Sequence, residues 1–459
     1  MTDSKISPVG TADEVTDDHE DNGDAHEGDE ATVADAVEAS SGPAARTGAA
    51  STAGLVSPHR QKIALIPLVV ALVFFFSPAA AFVLGDRAAT IDNRPLANLP
   101  SPADGWAFFP DFNTWANDHL PLRSEAVEGG TELSEAVFDE PPPYGQTGAA
   151  AADGVQYPQV IDGEDGWLYF GGDVSAPCNP VRSIDETIAN FQRLEAAIRA
   201  SGRTMVLAVV PDKSTMVPEH LPDQYAGEQC ASARKEAMWE GLTSAGLPLV
   251  DMRDPLAAEQ EHFDEPLYRP HDSHWNRRGA GVFVEEIVGR LDPALVGGQP
   301  GQPGLPSPFV EGADVELNGD LGTMLGTPTT DPAVGVTVER PGVTVAIDGV
   351  TVDHNDIDGM ERVPVTVDGS STGAPLIPGR TALLGDSFSA GLPPLVTPFF
   401  DSLTLLHNQA SAEALTQTIV DSDTIVVQIV ERSVAAGEVQ LATPAVVDVI
   451  EQSLAANPR

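Results

Sequence analysis

Two short segments of this chain carry side chains that can do chemistry together. The first is HDSHWN, His271–Asn276, in which Asp272 and His274 stand two residues apart just before a predicted helix. The second is LLGDSFSAG, in which Ser387 follows an apolar run and precedes a turn rich in small residues. A serine at a strand-to-helix turn projects its hydroxyl from the C-terminal edge of a sheet. The N–H groups of the following turn can then receive an oxyanion. A serine hydroxyl is a poor nucleophile at neutral pH and needs a base. His274 can be that base if its other ring nitrogen is held by an acceptor, and Asp272 is the nearest candidate. The i, i+2 spacing puts both side chains on one side of an extended loop. Taken singly, each element has a plainer reading, since Gly-Asp-Ser commonly makes a turn and Asp-x-His a surface hydrogen-bonded pair. His271, Asp272 and His274 are also metal-ligating types. No further cluster of His, Cys and carboxylates completes such a site in the sequence, so no metal is expected.

The elements that must position these residues alternate between strands and helices. Ser183 followed by Glu186 suits a capping box for the amphipathic run IDETIANFQRLEAAIRA. Thr204–Val210 (TMVLAVV) is a continuous apolar run, as expected for a buried parallel strand. LPLVDM (247–252), TALLG (381–385), SLTLLH (402–407) and TIVVQIV (424–430) are further strand-like runs. Helical spacing recurs in Ala280–Leu291, Ala412–Ile419 and Val446–Leu454. This rhythm predicts an α/β domain with a mostly parallel sheet over 158–459. Residues 300–380 read as a Gly/Pro-rich insertion with a small β elaboration.

Composition bounds the setting. The 459 residues hold 69 acidic and 24 basic side chains, a formal net charge of −45, which argues against nucleic-acid binding. Residues 1–58 carry thirteen Asp/Glu against Lys5 and Arg46 and have no apolar period, so they read as a disordered acidic tail. From Ile63 to Leu84 the chain runs 22 residues without a charge, long enough to span a bilayer as a helix. A cleaved signal peptide is the competing reading, but 62 residues precede the segment. His59, Arg60 and Lys62 before it, against Asp86 and Arg87 after it, keep the N-terminus cytoplasmic. The remainder, with a juxtamembrane region and linker over 88–157, is then extracytoplasmic in a single-pass membrane protein. In that oxidising compartment a Cys178–Cys230 bridge is expected, with two buried thiols as the alternative.

Read jointly, the motifs resemble the AlgX/AlgJ group of SGNH-hydrolase-like polysaccharide O-acetyltransferases, over roughly residues 91–435. DGWLYFGGD (165–173), VVPDKSTMVPEHLP (209–222), DSHWNRRG (272–279) and GDSFS (385–389) carry the resemblance. IDNRPLANLP (91–100) and LPLRSEAVE (120–128) are similar to that group's region after its membrane anchor. Here the Asp/His block precedes the Gly-Asp-Ser block, the reverse of ordinary SGNH esterases and the rearranged order of this group. The resemblance implies an SGNH-like three-layer domain, with Ser387 as nucleophile, His274 as general base and then acid, and Asp272 as orienter. Asp386 would be a structural neighbour at the turn, and Lys213 and Arg432 supply charge near the site. It implies a glycan acceptor, no cofactor, and a membrane-bound O-acyltransferase as partner delivering the acyl group. Two alternatives use the same residues: a carbohydrate acetylesterase that releases acetate to water, and a non-catalytic scaffold of a glycan-export complex.

Overall fold

The computed structural model describes residues 155–459 except 264, 297–307, 314 and 358, together with isolated positions between 76 and 119. The expected acidic tail lies outside the described residues, as do all but a few positions of the apolar segment 63–84 and of the stretch 88–154. Among the described residues, no single helix is long and apolar enough to cross a membrane.

The domain is built on one eight-stranded sheet. In chain order its strands are β1 (Thr204–Val210), β2 (Leu249–Asp251), β3 (Val343–Ile347), β4 (Val350–Val352), β5 (Val365–Ser371), β6 (Ile377–Gly385), β7 (Phe400–His407) and β8 (Thr424–Val430). Their spatial order is β4-β3-β5-β7-β6-β8-β1-β2. The five from β7 to β2 are parallel, whereas β5 runs antiparallel to β7, and β3 and β4 continue antiparallel to the edge. The sheet is therefore mixed rather than mostly parallel. The difference comes from the 300–380 segment, expected as a separate β elaboration. It contributes β3, β4 and β5 to the main sheet, through a register that pairs Val367 with Leu403. The β3–β4 hairpin turns at Asp348-Gly349, both at positive φ, as a two-residue turn matched to strand twist requires.

Five main helices flank the sheet: α1 (Ile184–Ala200), α2 (Glu228–Ser244), α3 (Arg277–Leu291), α4 (Ala412–Asp421) and α5 (Pro444–Ala456). Alternate residues of β1 supply two separate cores. Val206, Ala208 and Val210 pack with α3 residues such as Phe283 and Ile287, whereas Met205, Leu207 and Val209 pack with α1, α2, α4 and α5 residues. Both faces are covered, which is why the parallel strands read as unbroken apolar runs. The Ser183 side chain caps α1 by accepting from the Glu186 N–H at 3.2 Å. Helix α2 was not apparent in the sequence. Its inward face carries Ala231 and Lys235 beside Met238, Trp239 and Leu242, so a buried cation interrupts the apolar stripe. Cys178 and Cys230 form a disulfide that ties the short helix Gly172–Cys178 to α2, with Cα atoms 5.6 Å apart.

Candidate active site

The parallel strands all end at one edge of the sheet, the usual place for a site in α/β folds. Strand β6 leads into Ser387, β7 into Asn408, β8 into Glu431-Arg432, and β1 into Asp212-Lys213. Ser387 opens the short 3-10 turn Ser387–Ser389 and is half-buried. Asp386 caps this turn, accepting from the Phe388 N–H at 3.0 Å, and its other oxygen accepts from the Val430 N–H at 2.7 Å. The Asp386 main-chain carbonyl takes the Ser389 N–H, which leaves that of Ser387 as the donor the turn offers. Gly385 is obligatory, because a Cβ there would collide with the Ser389 side chain.

The Asp272–His274 segment reaches this turn on a loop closed at its base. Tyr268 and Trp275 pair across it, and the Asn276 N–H donates to the Leu267 carbonyl at 2.7 Å. The Asn276 side chain then caps α3, accepting from the N–H groups of Arg278 and Gly279. The Trp275 indole N–H donates to the Phe388 carbonyl at 3.0 Å, and the His274 ring lies 4.9 Å from that of Phe388. The two motifs, more than a hundred residues apart in sequence, are thereby docked together.

Within the loop, one Asp272 oxygen accepts both the His274 N–H (2.8 Å) and His274 Nδ1 (2.9 Å). Asp272 thus holds both the backbone and the ring of His274 and leaves Nε2 as the basic nitrogen. Nε2 is buried and has no hydrogen-bond partner among the described residues. The second Asp272 oxygen accepts from Arg269 Nη2 at 2.6 Å. Burial disfavours the Asp272 charge, but the hydrogen bond to His274 and the charges of His274 and Arg269 hold its pKa below the ordinary value. Burial likewise opposes a charged His274, yet the Asp272 hydrogen bond and charge, with the Asp320 charge, hold its pKa above the ordinary value.

Lys213 and Arg432 do not face an open site. Lys213 is fully buried and donates to the carbonyls of Leu168 (2.6 Å), Arg269 (2.7 Å), Pro270 (2.7 Å) and Asp272 (3.1 Å). Burial pushes its pKa down to about 7, against the pull of the Asp272 and Asp320 charges. Its place is under the loop, which it holds by the backbone. Arg432 donates to Asp212 (2.8 Å) and Asp173 (3.2 Å), with its guanidinium near the Phe388 ring. Lys235 pairs with Asp212 (2.8 Å) and Glu431 (3.4 Å) in the same cluster. Three buried carboxylates thus meet two cations. Burial and the neighbouring Asp212 charge raise the Asp173 pKa to about 7, which relieves the imbalance by a proton.

Three polar residues at the site were not apparent in the sequence. Arg269 grips Asp272 and also the Leu317 and Asn318 carbonyls. Ser273 and Asp320 are the others: the Ser273 N–H and hydroxyl donate to Asp320 at 2.8 and 2.6 Å. Asp320 brings a third ligand-type group to Asp272 and His274, their atoms lying within 4.8 Å of one another. The sequence had offered no such third group, because Asp320 belongs to a segment whose approach depends on tertiary packing. The carboxylate oxygens already face protein donors from Arg269 and Ser273, so the cluster is a hydrogen-bond network around His274 rather than an open cation cage. His271 turns away to Asp331, with Nδ1 and a carboxylate oxygen 2.6 Å apart.

A family model, "SGNH hydrolase-like domain, acetyltransferase AlgX", matches residues 160–376. Over these residues the chain is similar to that family's SGNH hydrolase-like domain. The match includes the Asp272–His274 loop and ends before Ser387. Probable alginate O-acetylase AlgJ of Pseudomonas syringae pv. tomato is 27% identical over 205 residues, covering 42% of this chain and 50% of that protein. The Pseudomonas aeruginosa protein of the same name is 26% identical over 131 residues, covering 28% and 32%. The chain thus spans half or less of the length of these curated relatives. The solved O-acetyltransferase domain of Pseudomonas putida AlgJ is 16% identical, with a TM-score of 0.42, covering 64% of this chain and 99% of that one.

Proposed function

We propose that this protein is an O-acetyltransferase that passes an acetyl group through Ser387 to a hydroxyl of an exported or cell-surface glycan. The observation that carries the reading is the state of His274. One ring nitrogen is locked by Asp272, while the other is buried, unpaired among the described residues, and carried on a ring that packs against the residue after Ser387. An unpaired buried ring nitrogen costs about 1–3 kcal/mol and is retained where it has work to do.

In the proposed reaction the Ser387 hydroxyl attacks the acetyl carbonyl, and its proton passes to His274 Nε2. The Ser387 N–H stabilises the oxyanion, and Asp272 stabilises the imidazolium. The C–O bond to the donor breaks as His274 returns the proton to the leaving alcohol. A glycan hydroxyl then repeats the sequence on the acyl-enzyme. Asn408 is buried at the end of β7, and its N–H donates to the Gly385 carbonyl at 2.8 Å. With that N–H engaged, we assign the role of second oxyanion donor to the Asn408 side-chain amide. The site needs no cofactor. Residues 63–84 anchor the chain, the domain lies outside the cytoplasm, and a membrane-bound O-acyltransferase supplies the acetyl group. Residues 1–62 hold a net −9 of the −45, so the remaining −36 on the external part favours a neutral glycan over a polyanion.

The test is glycan acetylation in cells carrying Ser387→Ala in the full chain. Loss of acetylation with normal protein levels supports the reading, and unchanged acetylation would leave only the scaffold role. With purified protein and an activated acetyl ester, acetate release that no added oligosaccharide can divert would mark an esterase instead.

A further inference from the structure

Asp320 begins the six-residue helix Asp320–Leu325, where an acidic residue ordinarily serves the helix dipole. Its contacts point elsewhere. One carboxylate oxygen accepts from the Ser273 N–H at 2.8 Å. The other accepts from the Ser273 hydroxyl at 2.6 Å and lies 3.5 Å from His274 Nδ1. The Ser273 hydroxyl is itself 3.3 Å from that nitrogen, and the Asp320 N–H donates to Asp272 at 3.3 Å. The chain is shaped for this approach. Gly319 lies so close to the His271 carbonyl that a Cβ would collide with it, and the Leu321 N–H donates to the same carbonyl at 3.1 Å.

We propose that Asp320 is a positioning residue of the acyl-transfer site: a second carboxylate, tied to the loop by Ser273, that helps stabilise the imidazolium formed when His274 takes the serine proton. The inference rests on the reading of Ser387 and His274 given above. Among the charges acting on the ring, Asp272 and Asp320 favour its protonated form and Arg432 opposes it. Arg269 faces the ring only through Asp272, and Lys213 lies beneath the loop with its ammonium on backbone carbonyls. Asp272 is neutralised in part by Arg269, so its field alone is weakened. Ser273 meets Asp320 with neutral donors, its N–H and its hydroxyl. Two variants then act in opposite directions. Asp320→Asn removes a negative charge facing Nδ1 and lowers the basicity of His274. Ser273→Ala removes the hydroxyl that shields Asp320 from Nδ1 and raises it.

The probe is phenylmethylsulfonyl fluoride, whose sulfonylation of Ser387 forms the O–S bond, expels fluoride and needs the same base. Its rate is followed against pH in the full chain by intact mass. In Asp320→Asn the acidic limb of the profile moves to lower pH by about 1, with a plateau several-fold lower. In Ser273→Ala the limb moves to higher pH. A limb that stays in place in both variants overturns the inference, as does movement of both in the same direction. If Asp320→Asn fails to fold, as judged by its melting transition, the Ser273→Ala limb decides. Absence of Ser387 modification in the unaltered protein would instead bring down the nucleophile reading itself.

Discussion

Replacing Arg269 with methionine separates the Asp272 carboxylate from its counter-charge while keeping most of the side-chain volume. Arg269 and Asp272 are both nearly buried, with side-chain exposures of 11% and 7%. Without the guanidinium, one Asp272 oxygen keeps only the Asp320 N–H at 3.3 Å. Stranding one partner of a buried pair costs about 3–5 kcal/mol. The cost should depend on pH. Asp272 is held below its ordinary pKa in the folded protein, so its ionisation stabilises the fold above the unfolded value and that contribution is lost as pH falls through the folded one. In Arg269→Met burial raises the carboxyl, so the variant takes up its proton earlier as pH drops. The stability gap should therefore be full at pH 7 and narrow as the pH is lowered through the carboxylate range. Urea unfolding followed by tryptophan fluorescence measures it. In an Asp272→Asn background the same substitution should cost less than about 1 kcal/mol, because no charge is then stranded. Equal costs in both backgrounds, or a gap that does not change with pH, would refute the pairing argument.

Two other substitutions probe the support of the site. Asp173 has its pKa raised to about 7 against an ordinary 3.8, so it destabilises the fold as pH rises between those values, by about 4 kcal/mol at most. Asp173→Asn should therefore gain stability relative to the unaltered protein between pH 5 and pH 8, and parallel melting curves at the two pH values would contradict this. Gly385→Ala should abolish soluble folded protein or lower its melting temperature by at least several degrees, since the added methyl strikes Ser389 inside the turn. A normal melting transition in that variant would show that the turn can be built another way.

How far the sequence speaks for itself follows from the range of the interactions. The parallel strands were legible because burial on both faces writes apolar runs such as TIVVQIV. The Asp-x-His and Gly-Asp-Ser segments were legible because each is local. Helix α2 was obscured by Lys235, whose burial is tolerated only because Asp212 and Glu431 come to meet it from other strands' ends. The small β elaboration expected within 300–380 announced strands, but which sheet they join depends on pairing with β7. Arg269 and Asp320 were invisible for the same reason. Nothing in the order of residues says that an aspartate 47 positions downstream will hydrogen-bond to Ser273.

The central claim is that Ser387 accepts the acetyl group with His274 as its base. Intact-mass and peptide-level spectrometry after brief exposure of the full chain to an activated acetyl ester tests it most directly. The account predicts one added acetyl group, located on Ser387, lost on addition of a neutral oligosaccharide that becomes acetylated, and absent in His274→Ala. An acetyl group that settles on another residue, or a Ser387 left unmodified while transfer proceeds, would contradict it.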